Sequence, residues 1–235
     1  AQARFETISH NHFTGSALIF DCVDPQNDTS RGGDSLTIPR VRLWDTREEA
    51  QKPGNWSVSM VIQPASGSGK TSIAIAGDGT TTNPVLWIAK DGTLAIRDDA
   101  GMYFGSIVRN LAPTGSKMNF NEGASATQIG VQTNKERAYS IAYTFETSGS
   151  QNLATAVATA KFYVNGKLQH TKTRTQLTGS GAAKFYIDEI GQGYKSSANT
   201  YAYSGSIAHF KIFRHHVLTP DEISYLNRYP HLRAN

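Results

Sequence analysis

Bond-breaking chemistry needs particular side chains held in a constellation, and this chain offers few. Its adjacent carboxylates Asp188-Glu189 lie in Phe185-Tyr186-Ile187-Asp188-Glu189-Ile190, an extended run. Successive side chains of a strand point to opposite faces, so these two cannot flank one bond as acid and nucleophile. No Gly-x-Ser-x-Gly marks a nucleophile elbow, and neither His-Glu-x-x-His nor paired cysteines mark a zinc site. His10-Asn11-His12 puts two imidazoles at alternate positions, but no further Cys or His lies close in sequence, and a turn is the simpler account. Gly67-Ser68-Gly69-Lys70-Thr71 resembles the end of a phosphate-binding loop. Pro64 stands where that motif needs its first glycine, and Ser72-Ile73-Ala74-Ile75 reads as extended where a helix must follow. The expectation is a protein that is not an enzyme.

Binding chemistry is better represented. A glycan surface needs exposed aromatic faces with convergent polar groups. Tyr103-Phe104 and the stretch holding Tyr194, Asn199, Tyr201 and Tyr203 supply both, and Tyr gives contact area at low entropic cost. Calcium takes six to eight oxygens, largely from loops. Asp78, Asp91, Asp98 and Asp99 are carboxylates in loop contexts, where Asp is also an ordinary turn residue. Calcium is the one cofactor the sequence allows. Asn27-Asp28-Thr29 and Asn55-Trp56-Ser57 match the glycosylation sequon, a pattern that also arises by chance.

The elements that must carry these groups are strands. Lys161-Phe162-Tyr163-Val164 and Lys167-Leu168-Gln169-His170-Thr171 flank Asn165-Gly166, the pair that accepts the two positive φ angles of a type I′ hairpin. A second hairpin joins residues 85–89 to 93–97 around Lys90-Asp91-Gly92. Residues 56–63 alternate, with Trp56, Val58, Met60 and Ile62 on one face. Further strands are expected at 3–9, with Phe5 and Ile8 as apolar anchors, and at 16–22, 35–44, 71–76, 102–109, 138–145, 156–164, 184–191 and 205–214. Pro39 marks the strand at 35–44 as an edge or a bulge. Residues 110–136 form a long polar stretch, with one short strand expected at 127–132. Thr219-Pro220-Asp221-Glu222 opens a helix with a cap, a proline at the first position and a capping-box glutamate. About a dozen short strands at this spacing indicate an all-β, two-sheet antiparallel jelly-roll sandwich with one short C-terminal helix. No linker or repeat divides the chain, so residues 1–235 are expected to be one domain.

Composition agrees. The 235 residues carry 18% charged side chains and 21 glycines, a balance suited to strands and turns. A net charge of +4 from scattered Lys and Arg gives no clustered basic stripe, so no nucleic-acid partner is expected. Cys22 is the single cysteine, which precludes an intrachain disulfide and fits synthesis in a reducing cytoplasm. Beside Ile19-Phe20 it reads as a small buried hydrophobe. No apolar run approaches the ~18 residues of a membrane span. Ala1-Gln2-Ala3-Arg4-Phe5 is not a signal peptide, and Ala1 fits either initiator removal or cleavage of a leader.

The hairpin at Tyr163-Val164-Asn165-Gly166-Lys167-Leu168, then Ile190-Gly191, then Gly205-Ser206-Ile207 through Leu218-Thr219-Pro220-Asp221-Glu222-Ile223 resemble the C-terminal half of laminin G-like (concanavalin A-like) jelly rolls. Asn55-Trp56-Ser57-Val58-Ser59-Met60-Val61-Ile62 is similar to that family's early core strand. Ala138-Tyr139-Ser140-Ile141-Ala142-Tyr143-Thr144-Phe145 is similar to a later one, with Tyr139 in place of the usual Trp. The resemblance implies the sandwich, and often a loop calcium site. It does not name a function, because this fold carries lectins, adhesion modules, virion parts and glucanases alike. The paired acids of those glucanases, Glu-x-Asp-x-x-Glu, have no counterpart here. The expected protein is therefore a non-catalytic surface-binding module, a structural, decoration or receptor-binding component of a larger particle such as a virion. It contacts protein or glycan at the particle surface, and a homo-oligomer is compatible with it. The alternative is a secreted, soluble carbohydrate-binding lectin or a polysaccharide-active enzyme.

Overall fold

The computed structural model describes residues 4–11, 13–20, 34–45, 54–64, 72–78, 83–89, 93–97, 103–107, 138–148, 157–175, 184–195, 200–203 and 205–232. The strands are β1 Phe5–His10, β2 Phe13–Phe20, β3 Leu36–Asp45, β4 Trp56–Pro64, β5 Ser72–Asp78, β6 Asn83–Ala89, β7 Thr93–Arg97 and β8 Tyr103–Ile107. They continue with β9 Tyr139–Ser148, β10 Val157–Val164, β11 Lys167–Thr175, β12 Lys184–Ile190, β13 Gln192–Lys195, β14 Thr200–Ala202 and β15 Gly205–Arg214, and the helix α1 is Pro220–Arg228. One antiparallel sheet has seven strands in the order β1-β2-β15-β4-β9-β10-β11, and a second has six in the order β3-β12-β5-β6-β7-β8. This is the two-sheet jelly-roll sandwich that the alternation implies. β13 and β14 form a separate two-stranded ribbon. The expected strand at 127–132, the turn at 90–92 and Cys22 lie outside the described residues.

The layers meet through aromatic rings. Trp56 of β4 is the register partner of Phe145 of β9, and Trp44 of β3 is the partner of Phe185 of β12. The two pairs face each other across the sandwich. Ring centroids are 5.4 Å apart for Trp56–Phe145, 4.9 Å for Phe145–Phe185, 5.5 Å for Trp56–Phe185 and 6.0 Å for Trp44–Phe145. All four are buried. Val58, Met60 and Ile62 extend the same face of β4 into the core, as their spacing requires.

The outer face of the seven-stranded sheet is also covered, where an antiparallel sheet commonly leaves one face to water. Ala142 of β9 and Tyr163 of β10 pack under Leu218, Ile223 and Leu226 of the helical segment. Ile8, Phe13, Ala17, Val61, Ala138 and Ala208 form a second outer cluster. Ser57 ties the approach to the helix onto β4: its hydroxyl donates to His216 O (3.1 Å) and accepts from Leu218 N (2.9 Å). Thr219 caps α1, accepting from Glu222 N, and Glu222 accepts from Thr219 N at 2.7 Å.

Both hairpin residues have positive φ, 50° at Asn165 and 77° at Gly166, as a type I′ turn demands. The turn docks on β9, with Asn165 N donating to Ser140 O (2.7 Å) and Ser140 N to Asn165 Oδ1 (3.1 Å). At the other end of the chain, His10 Nε2 donates to Asn227 Oδ1 (2.9 Å), and Asn11 Nδ2 reaches the same oxygen (3.1 Å). His10 is thus a buried tie between the β1–β2 turn and α1 rather than a metal ligand. β3 is an edge strand, which is where Pro39 is tolerated.

Two substitutions test this frame. Phe145→Ala opens the aromatic block and should lower urea-unfolding stability by about 3–5 kcal/mol. Gly191 has φ +87°, and a Cβ there would run into the Phe20 ring. Gly191→Ala should cost about 3 kcal/mol from strain and overpacking together, with part restored by Phe20→Leu.

Candidate functional site

The stretch expected to be a tyrosine-bearing loop is partly regular. β13 and β14 pair antiparallel, and the register makes Tyr194 and Tyr201 direct partners, with a bulge between Gln192 and Tyr194. The fold therefore brings together two of the tyrosines singled out as ligand contacts. Asn199 lies outside the described residues. Tyr103 opens β8, on the outer edge of the six-stranded sheet and away from this ribbon in strand order.

Tyr203 departs from expectation. It is 0% exposed, its hydroxyl donates to Ser206 O (3.3 Å), and its ring meets Phe20 edge-on at 6.3 Å. Its N–H is held by Gly191 O at 2.7 Å. Tyr203 is a core residue that anchors the ribbon to the sandwich, so it offers no ligand surface. Tyr201 and Tyr203 look alike in sequence, and only the fold shows that Tyr203 belongs to the core.

Of the calcium candidates, Asp78 is the last residue of β5, opposite Asn83. Asp91, Asp98 and Asp99 lie outside the described residues. Among the described residues no three of His, Cys, Asp and Glu cluster closely enough to hold a metal. The sequon at Asn55 is engaged in the fold, since Asn55 Oδ1 accepts from Thr147 N (3.4 Å) beside the buried Trp56. No helix among the described residues is long and apolar enough to cross a membrane.

The sequence reading missed one surface. β1 and β3 are edge strands of the two sheets. Arg4 and Asp34, the residues just before them, form an ion pair at 3.1 Å, so the two strands begin at the same rim. Phe5 is the partner of Leu18, which packs on the core, and Leu36 is the partner of the core residue Ile190. Both thus occupy inward register, yet Phe5 is 64% and Leu36 43% exposed. Phe5, expected as an apolar anchor, is therefore exposed instead. The missing signal was position: an apolar residue on an outermost strand has no neighbour beyond it.

The family model described as the concanavalin A-like lectin/glucanases superfamily matches residues 30–224. The chain belongs to that superfamily. Among curated protein sequences none matches it significantly. Solved structures similar to it include Domain 4 of AbnA, an extracellular arabinanase from Geobacillus stearothermophilus, in complex with arabinotriose. The TM-score is 0.46 at 15% identity, covering 97% of this chain and 82% of that one. Another is the receptor binding domain of botulinum neurotoxin C/D mosaic serotype, with TM-score 0.49 at 16% identity over 99% of this chain and 47% of that one. A third is the Ruminococcus gnavus IT-sialidase CBM40 bound to alpha2,3 sialyllactose, with TM-score 0.44 at 14% identity over 83% of this chain and 96% of that one.

In a superfamily that includes glucanases, the carboxylates decide what this member's surface can do. Asp188 accepts from both Nε and Nη2 of Arg40 at 3.0 Å, on the face where that guanidinium also lies over the Tyr186 ring at 5.3 Å. Glu189 is 5% exposed. Asp45 accepts from the Tyr186 hydroxyl, Glu6 from Ser206, and Glu222 from the helix cap. Each of these carboxylates has a structural partner or a buried position.

Burial, reinforced by the hydrogen bond to Asp45 and its charge, pushes the Tyr186 phenol up to about 12. Burial also raises Tyr203 well above the ordinary range. The unfolded chain releases these protons near pH 10 and the native state keeps them longer, so stability falls as pH rises. The urea midpoint should decline between about pH 10 and 12, and Tyr186→Phe should flatten that decline.

Proposed function

We propose that this chain is a non-catalytic binding module that works through its surface, contacting protein or glycan as a component of a larger particle such as a virion. The observation that carries the reading is the apolar rim at Phe5 and Leu36. Large apolar side chains left in inward register on two outermost strands favour a partner that covers them, and an outermost strand also presents unpaired backbone groups. The carboxylates engaged in holding the fold support the non-catalytic half of the proposal. The lone Cys22 fits assembly in a reducing compartment. The β13–β14 ribbon, with Tyr194 and Tyr201, is the glycan-contacting candidate. Tyr103 and Asn199 are secondary to it.

Light scattering on the purified chain tests the rim. Wild type should self-associate or co-elute with a partner subunit, and Phe5→Lys combined with Leu36→Lys should abolish this without lowering the melting temperature. A glycan array tests the ribbon: Tyr201→Ala should lose about tenfold or more in affinity for any glycan bound by wild type, an effect of about 1.4 kcal/mol. A monodisperse monomer together with a blank array would sink the proposal, as would turnover of any polysaccharide.

A further inference from the structure

The opposite rim has the reverse chemistry. β11 reads Lys167-Leu168-Gln169-His170-Thr171-Lys172-Thr173-Arg174-Thr175 and is the last strand of the seven-stranded sheet. Its register on β10 pairs Lys167 with Val164, His170 with Phe162, Lys172 with Ala160 and Arg174 with Ala158. Those four β10 residues belong to the core. Cross-strand partners share a face, so every one of these basic side chains occupies inward register. The His170 ring lies 6.5 Å from that of Phe162, on the inner side. On the outer side the hydroxyls of Thr159 and Thr173 are 3.4 Å apart, and Leu168, the partner of Tyr163, is 51% exposed. The usual alternation of a sandwich strand, apolar inside and polar outside, is inverted.

His170, Lys172 and Arg174 are half-buried. Lys172 and Arg174 stand beside Ala160 and Ala158, side chains small enough to leave room, and long basic stems lie on apolar surface while their charged ends reach for water. β11 runs beside β8, the edge strand of the other sheet, so the row lies where two sheet edges approach. Burial and the charge of Lys172 both hold the His170 imidazole below its ordinary range, as proximity within the row requires. Glu146 pairs with Lys161 on the outer face at 3.4 Å. A single inward lysine protects a sheet edge from pairing with another chain. Here basic side chains fill each inward position from His170 to Arg174, a line of about 13 Å at the rise of a strand, with the charge carried by Lys172 and Arg174.

We propose that this row is an anion-binding track, and that it takes a linear glycan bearing carboxylate or sulfate groups. The inference rests on the binding-module reading above and names the ligand class for this rim. The track is one strand wide and suits a single extended chain. Along β11 itself threonines, not the interleaved aromatic rings of a single-stranded nucleic-acid platform, stand between the basic residues. A net charge of +4 also lacks the broad basic face that duplex binding uses.

Titration calorimetry of the full chain against four probes tests it: a heparin oligosaccharide, an oligogalacturonate, a neutral malto-oligosaccharide and a single-stranded oligonucleotide. At least one acidic glycan should bind, with affinity falling as salt rises. Lys172→Gln combined with Arg174→Gln should weaken that binding at least about tenfold. Lys161→Gln on the outer face should leave it unchanged. Should the double variant fold poorly, acetylation of wild type decides, because the bound glycan should shield Lys172 and not Lys161. Failure to bind either acidic glycan overturns the inference, as does unshielded Lys172 or equal affinity in a folded double variant. A folded double variant that aggregates with unchanged affinity assigns the row to edge protection instead. An oligonucleotide that binds as tightly as the glycan overturns the choice of ligand. Binding of the neutral probe alone overturns the track and leaves the module reading standing. The chain fails as a module only if the rim and array tests fail as well.

Discussion

Two cross-strand aromatic pairs, pressed together across the sandwich, hold this fold. Trp56 and Phe145 come from one sheet, Trp44 and Phe185 from the other. The indole N–H groups of Trp44 and Trp56 have no hydrogen-bond partner among the described residues. An orphaned buried donor costs about 1–3 kcal/mol, whereas burying a ring of about 200 Å² contributes about 4–6 kcal/mol. Packing wins, and the block tolerates its polar atoms. Because it joins strands from both sheets, it also sets which faces are inner, and hence which residues the rims display.

The rest of the chain is fastened to this block by local devices at its periphery. Gly191, with its positive φ, lets Phe20 lie directly against the backbone, and its carbonyl holds the N–H of Tyr203. Ser57 spends both its donor and its acceptor on the segment leading to α1. Asn227 of α1 collects His10 and Asn11 from the first hairpin turn and lies against Gly166 of another. The helix thus joins three distant parts of the sequence on the outer face of the larger sheet.

A sandwich has two open rims, and the two here differ. One carries Phe5 and Leu36, exposed and apolar, while the other carries Lys167, His170, Lys172 and Arg174 in inward register. Both rims place in inward positions side chains that the interior does not enclose. This asymmetry suits a module with separate contacts for a partner subunit and for a charged ligand. The sequence held a trace of the basic rim, since basic residues and threonines alternate from His170 to Thr175. Their period of two matches any half-buried strand, and sequence alone does not assign the faces.

Local pattern determined the strands of the two large sheets, the Asn165-Gly166 turn and the capped helix at Thr219, because φ preference, period-two alternation and capping act over a few residues. It also placed the Trp56 face of β4 correctly in the core and, through Pro39, marked β3 as an edge or a bulge, and it is an edge. Tertiary structure alone decided that Tyr203 is buried while Tyr194 and Tyr201 pair in a ribbon, that Phe5 is exposed, and that the cations of β11 turn inward. Each of these depends on which strand lies alongside and which sheet lies opposite. Those partners are as distant in sequence as Phe20 and Tyr203, so only closure of the sandwich brings them together.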